Sequence, residues 1–390
     1  MESLTIKNFG PIVDINLSPI KRFNIFIGES GSGKSTIMKV LAMMRWIYKM
    51  CCVRTYFKNS GIQTPFRFRA DTILGENGLK PFLRNESEIK YNNGGFEIII
   101  RNGRLVFPQK NVQDVDLTLY KIAYISDKRV LIPDVAAGNV SLRHNMFYLD
   151  ETFLNFQKAL DVITDTEMSY LGVKMSVKKT NAGRRVFISS SNTDHSFSNL
   201  PLTNASSGLQ SSVALHYIMR YFSSYYDIVR SMNSTVVKFL ASGDKLSKFS
   251  ASSDIGKFPN RRITVHIEEP ELSLFPSNQW GLLKYLVGEC QKSDTTIDMT
   301  IATHSPYVLT AINIMLLAKR ASEKDATACK AICNDCPTLD LNEIGAWSVK
   351  EGQCECLINE ELGMIDGTFL DSTSDIYEDI ILNLNNIIYG

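Results

Sequence analysis

The octet Gly28-Glu29-Ser30-Gly31-Ser32-Gly33-Lys34-Ser35 constrains this chain more than any other stretch. It has the spacing G-x-x-x-x-G-K-[ST]. It lies between a short apolar run, Phe23-Asn24-Ile25-Phe26-Ile27, and a helical stretch from Ser35 to about Lys49. Strand, glycine loop and helix in that order give the spacing its physical meaning. The glycines let the backbone curl so that its N–H groups face phosphate oxygens. The helix N-terminus adds positive potential. Lys34 reaches toward the β- and γ-phosphates, and Ser35 offers a hydroxyl to Mg²⁺. With Thr36, residues Gly28 to Ser35 form the expected nucleotide-contact set. A plain Gly/Ser turn is the alternative, and the flanking strand and helix weigh against it.

A second element is Ile263-Thr264-Val265-His266-Ile267-Glu268-Glu269-Pro270. Its β-branched residues predict a strand buried in a parallel sheet. Two adjacent carboxylates emerge at its C-terminal end, where open α/β sheets bind ligands. One can hold Mg²⁺ through water and the next can polarise an attacking water. Paired acids after a strand can also be merely solvated. Beside a phosphate loop they acquire a role.

The rest of the chain sorts around these two elements. Leu4–Phe9 and Ile12–Leu17 alternate about a Gly10-Pro11 turn. A meander is expected over 87–107, a strand at Ile122–Ile125, a helix over 151–168 and a hairpin from Val173–Lys178 to Arg185–Ser189. Later come a helix from Gly208 to about Ile228, strands Ile263–Ile267 and Ile297–Thr303, and a helix near Ser277–Cys290. A hairpin is expected around Lys350–Gln353 and a last helix near Ser374–Ile388. Strand, helix and strand in this order predict an α/β fold with a largely parallel central sheet and an N-terminal antiparallel β element. Residues 51–199 read as an inserted lobe with antiparallel hairpins and helices, and 1–50 with 200–390 as a split head.

The order of motifs resembles the ABC-type ATPase heads of the RecF, SMC and OLD (overcoming lysogenisation defect) group. Ile6-Lys7-Asn8-Phe9-Gly10-Pro11-Ile12 looks like that group's first hairpin, and Asn204-Ala205-Ser206-Ser207-Gly208-Leu209-Gln210 resembles its signature. Glu268 to Pro276 is similar to its second acidic motif and following loop, and Thr303-His304-Ser305-Pro306 to its switch histidine. The resemblance covers about 1–50 and 200–310. It implies an ABC-ATPase head that binds ATP with Mg²⁺ and hydrolyses it. Ser35 and Glu268 would serve the metal, Glu269 would be the catalytic base, and His304 would sense the γ-phosphate. Ser207 and Gly208 would meet the γ-phosphate bound by a second copy, giving a head-to-tail dimer with ATP between. Leu209 stands where many signatures have Gly. Ser126 and Asp127 occupy the position of the family's Gln loop; Asp127 reads either as a water-mediated Mg²⁺ partner or as a turn acid. Heads without their own nuclease look like the ATPase subunits of antiviral systems such as Septu, PARIS and some retron systems. That likeness implies a separate nuclease or toxin as partner; a RecF-type DNA repair or clamp ATPase is the other reading. Only 86 residues follow His304, short for an appended Toprim domain.

Composition adds limits. Hydrophobic residues are 44% and charged ones 21%, so a packed core is expected. Net charge is +1, but residues 351–390 hold nine acids and no base. The first 350 residues therefore set 42 bases against 32 acids. Such a division suits DNA or a docked partner, or equally a solvated acidic helix. Lys174, Lys178, Lys179, Arg184 and Arg185 are the best local basic candidates, or a solvated edge strand. The longest uncharged run, Met299–Ala318, holds His304, Pro306 and Asn313, which argues against a membrane span. Met1-Glu2-Ser3-Leu4 is no secretory signal, so a cytoplasmic location is expected. Cys333, Cys336, Cys354 and Cys356 read as an unusually spaced zinc site or as buried thiols.

Overall fold

The computed structural model describes residues 1–59, 68–141, 147–180, 183–191, 197–232, 258–333, 335–367, 382 and 384. The expected terminal helix near Ser374–Ile388 lies outside these residues.

An antiparallel sheet opens the chain. Strand β1 (Glu2–Phe9) pairs with β2 (Ile12–Ile20) about the Gly10-Pro11 turn. On its other edge β1 pairs with β4 (Leu83–Asn93), which continues through β5 (Phe96–Arg101) and β6 (Arg104–Val106). The second sheet is central, with order β15-β14-β3-β13-β12-β7. Here β3 is Phe23–Ile27, β7 Thr118–Ile125, β12 Asn260–Glu268, β13 Thr296–Thr303, β14 Ile344–Lys350 and β15 Gln353–Cys356. All of its pairings are parallel except the edge pair β14–β15. All five residues of β3 are buried, which fits a strand covered on both faces.

Helix α1 (Lys34–Asn59) lies between the two sheets. One side packs on β7, β12 and β13. On the other, the Tyr48 ring meets Tyr91 of β4 and Phe96 of β5 at centroid distances of 6.2 and 6.0 Å. A helix covered on both sides has no polar stripe. Its Arg45 forms a buried two-point pair with Glu2, at 2.7 and 2.8 Å, that ties β1 to the helix. Burial alone would raise the Glu2 carboxyl, but Arg45 holds it below its usual range.

Three shorter helices follow in the first half: α2 (Ala70–Glu76), α3 (Ile132–Ala137) and α4 (Phe147–Val162). A third sheet combines β8 (Asp165–Met168), β9 (Val173–Thr180), β10 (Gly183–Ser190) and β11 (Leu200–Pro201) in the order β11-β10-β9-β8. Helices α5 (Ser207–Ser224), α6 (Pro276–Lys292), α7 (Pro306–Lys324) and α8 (Ala326–Ile332) follow, and β16 (Ile358–Asn359) pairs with β17 (Met364–Ile365) in a small antiparallel sheet.

The α/β class, the largely parallel central sheet and the N-terminal antiparallel element are as expected. The segment 51–199 does not stand apart as a lobe. Residues 51–59 continue α1, β4 to β6 extend the first sheet, and β7 is an edge of the central one. Of that segment, the hairpin sheet β8–β10 comes nearest to an inserted unit, and β11 joins it from beyond residue 199. The physical reason is long-range pairing: β1 needs a second antiparallel partner and finds it about 80 residues on, which no local pattern records.

Candidate functional site

The loop between β3 and α1 is shaped by its glycines. Gly28 has φ +155°, and a Cβ there would stand 2.3 Å from the Val349 carbonyl oxygen on β14. Gly33 has φ +112°, and its Cβ would meet Ile12 Cδ1 at 2.6 Å. Only glycine fits either place. Lys34 is buried, and its Nζ donates to the carbonyls of Gly28 (2.8 Å) and Glu29 (2.7 Å). Burial pushes its ammonium down in pKa, while Glu269, Glu271 and Glu29 oppose that shift. A cavity of about 490 Å³ opens over the loop, lined by Gly31, Lys34, Ser35, Glu268, Glu269 and His304 among others. The glycine loop, the two carboxylates that follow β12 and His304 thus line one cavity.

The acidic residues differ in setting. Glu268 ends β12, is buried, and accepts a hydrogen bond from Tyr124 Oη of β7 at 2.7 Å. Glu269 has φ +43°, a left-handed conformation that costs on the order of 1–3 kcal/mol in a non-glycine residue. Its N–H donates to the Ala302 carbonyl at 2.8 Å, anchoring the turn to β13. Burial raises the Glu269 carboxyl above its ordinary value, and the nearby His304 opposes the shift. His304 Nε2 lies 3.6 Å from Glu269 Oε1.

Glu271 was not singled out by the sequence, yet it locks the switch loop. Its Oε1 accepts from Thr303 Oγ1 (2.6 Å) and from the His304 N–H (3.0 Å). Ser305 Oγ then donates to Gln279 Oε1 of α6 at 2.6 Å. The loop after β13 is therefore hung from the turn after β12.

A neighbouring cavity of about 450 Å³ is lined by Ser35, Asp127, Glu268 and Glu269, with Lys39 and Tyr148. Asp127 Oδ1 also accepts from Ser126 Oγ (2.7 Å) and the Lys128 N–H (2.8 Å). Asp127 closes its own turn and also lines the cavity. These hard oxygen donors fit Mg²⁺, which takes one or two carboxylates and completes its shell with phosphate oxygens and water. Among the described residues no three His, Cys, Asp or Glu side chains form a metal cluster by themselves. Cys354 lies on β15, where burial pushes its thiol up to about 12.

The signature residues sit elsewhere. Ser206 caps α5, its Oγ accepting from the Leu209 N–H at 3.5 Å. Ser207 is exposed and Gly208 is buried against the turn after Glu271, where a Cβ would stand 2.6 Å from the Ser273 carbonyl oxygen. Neither residue lines the two cavities beside the phosphate loop.

No family model and no curated protein matches the sequence. Solved structures that share its outline include the SMC head domain from Thermotoga maritima, at 13% identity and a TM-score of 0.37, covering 91% of this chain and 97% of that one. The Smc head domain from Pyrococcus furiosus, bound to the C-terminal domain of ScpA, is 12% identical with a TM-score of 0.39, covering 97% and 100%. A dimeric ATP-binding cassette in a post-hydrolysis state with ADP and Pi is 10% identical with a TM-score of 0.31, covering 90% and 96%. At such scores the likeness carries no weight, and the fold rests on this chain's own strand order.

The basic hairpin is largely engaged within the molecule. Lys178 donates to Asn199 Oδ1 at 2.6 Å and lies over the Phe187 ring. Arg184 pairs with Asp161, and Arg185 donates to the Ala137 carbonyl at 2.8 Å. No described helix is long and apolar enough to cross a membrane.

Proposed function

We propose that this chain binds Mg²⁺–ATP in the loop Gly28–Thr36 and hydrolyses it as an ABC-type head that works in head-to-tail pairs. The observation that carries the reading is the convergence of Lys34, Ser35, Glu268, Glu269 and His304 around one cavity from loops far apart in sequence. Ser35 and Glu268 would hold the metal, which would supply charge stabilisation to the phosphates. Glu269 takes the proton of the attacking water, and burial raises its carboxyl above the ordinary value, which makes it a better proton acceptor. His304, beside Glu269, faces the same cavity and reports the γ-phosphate. Lys34 turns from its loop carbonyls toward the β- and γ-phosphates.

The pairing of copies is supported by the separation of Ser207 and Gly208 from the phosphate cavity. It is supported also by exposed aromatic side chains beside the motifs. Phe275, after the Glu271 turn, is 74% exposed, and Tyr307, after His304, is 51% exposed. Regulation of a separate nuclease or toxin in antiviral defence is the partner reading we adopt, and it rests on sequence resemblance alone. The RecF-like reading needs DNA contact, and the engaged state of Lys178, Arg184 and Arg185 gives it less support.

Calorimetry with Mg²⁺–ATP tests the core claim. The parent chain should bind, and Lys34→Ala should lose affinity by about 100-fold or more, because it removes the loop's one mobile cation aimed at the phosphates. Equal affinity in the two would sink the phosphate-loop assignment.

A further inference from the structure

Arg129 follows the Asp127 turn and is completely buried. Nothing in its sequence context, Asp127-Lys128-Arg129-Val130, distinguishes it from a surface cation. Its guanidinium nevertheless reaches across from the end of β7 to the end of β12. Nη1 donates to the carbonyl oxygens of Ser126 (3.2 Å) and Glu268 (2.6 Å). Nη2 donates to those of Glu269 (2.6 Å) and Pro270 (3.3 Å). These four acceptors are backbone carbonyls, three of them consecutive in the turn that carries the catalytic carboxylates.

A buried guanidinium held only by carbonyls is costly to desolvate. Burial pushes its pKa down to about 10, and the carboxylates of Glu271, Asp127, Glu269 and Glu268 oppose that shift. The cation lies among these acids and lines neither cavity, although Asp127, Glu268 and Glu269 do. Such a group does two things at once. It fixes the left-handed turn at Glu269 by occupying its carbonyls, and it offsets the mutual repulsion of acids brought together by neighbouring strand ends. Loss of either would move the Glu269 carboxylate relative to the attacking water, and a shift of about 1 Å is enough to cost a reaction about 100-fold.

We propose that Arg129 is a positioning residue for the hydrolytic step: it clamps the Glu268–Pro270 turn and sets the place of the Glu269 carboxylate without touching nucleotide. This deepens the ATPase reading and rests on it. Its loss should act on chemistry more than on binding, because the glycine loop is built from β3 and α1 and receives none of these four hydrogen bonds.

The test compares the full-length parent with Arg129→Gln and Arg129→Lys, measuring Kd for Mg²⁺–ATP, kcat, KM and melting temperature. Arg129→Gln should lower kcat about 10- to 100-fold while Kd stays within about threefold. Arg129→Lys keeps the charge but not the fork that spans three consecutive carbonyls, so its kcat should fall between the two. If Arg129→Gln does not fold, the lysine variant decides alone: a lowered kcat with parental Kd upholds the assignment and a parental kcat overturns it. A Gln variant that melts earlier yet turns over at the parental rate shows a structural role only and overturns the assignment. Loss of ATP affinity with unchanged kcat overturns it as well. A parent chain that binds but never hydrolyses ATP refutes the ATPase reading itself, and the positioning role falls with it.

Discussion

Glu269→Gln separates base catalysis from every other property of the site. The amide is nearly isosteric with the carboxylate, and the turn is held by backbone groups: the Glu269 N–H on Ala302 and its carbonyl on Arg129. Neither contact uses the side chain, and the left-handed φ of +43° is no worse for Gln than for Glu. Melting temperature should therefore change by only about 2 °C. Affinity for Mg²⁺–ATP should stay within about threefold, because Lys34 and the glycine loop are untouched. The amide cannot accept the water's proton. A positioned general base contributes about 10²- to 10⁴-fold, so turnover should fall by that factor, equivalent to about 3–5 kcal/mol of barrier. Single-turnover phosphate release measures it. The parental enzyme carries a second signature. Glu269 acts only when ionised, and burial raises its pKa above the ordinary 4.5. Its turnover should therefore fall, as pH drops, at a pH above that of an ordinary glutamate, and Glu269→Gln should lose this dependence. A variant that releases phosphate within threefold of the parental rate would refute the assignment of the base.

Gly208→Ala places a Cβ 2.6 Å from the Ser273 carbonyl oxygen and must push α5 off the turn after Glu271. Turnover that rises with protein concentration in the parent should be lost in the variant, while ATP binding by the dilute chain stays within about threefold; unchanged turnover would argue against a signature role. Asp298, buried on β13, is pushed up to about 6 by burial, against the pull of Arg262 and Arg45. Its folded pKa exceeds the ordinary 3.8, so this contribution to stability grows as pH falls from about 6 toward 4, by up to about 3 kcal/mol. Asp298→Asn should flatten urea-unfolding stability across that window, and an unaltered slope would discount the shift.

The parts legible in the sequence are those fixed by local constraints. Gly28 and Gly33 each sit where a Cβ would collide, and the spacing between them is dictated by the curl of one loop. Strands β12 and β13 are legible because their buried stretches, 263–268 and 297–303, are rich in β-branched residues. Helix α1 was cut short at about Lys49 because Met50-Cys51-Cys52-Val53 shows no helical stripe. A helix covered by a sheet on each side needs none. The meander of β4 to β6 lies where the sequence predicts it, but its pairing with β1 is a tertiary fact that no local pattern records. Within the site, Tyr124, Arg129 and Glu271 were missed for a common reason. Each acts through a contact with a distant element, and none departs from what an ordinary strand, turn or loop residue looks like. Tyr124 offered the weakest of signals, a polar tip on an otherwise apolar strand.

The charge around the cavities implies one more dependence. Asp127, Glu268, Glu269 and Glu271 surround Arg129, and the last two also act on Lys34. With Glu29, which acts on Lys34, five acids face two buried cations, and ATP adds its own negative phosphates to that excess. Unit charges about 5 Å apart interact by about 3 kcal/mol at an effective dielectric of 20, and by less where the site opens to water. A divalent cation held by Ser35 and Glu268 would offset part of that negative excess. Chelation of Mg²⁺ should thus weaken ATP binding about tenfold or more, beyond any effect on hydrolysis. Glu268→Gln makes the reasoning specific. It removes one of the repelling charges and a metal ligand together, so it should weaken binding of Mg²⁺–ATP but strengthen binding of metal-free ATP relative to the parent. The two titrations, with Mg²⁺ and with EDTA, should cross in opposite directions. If Glu268→Gln weakens both alike, Glu268 supports the fold around Tyr124 and is not the metal's carboxylate. If the parent binds ATP equally well in EDTA, the acid cluster does not face the phosphates at all.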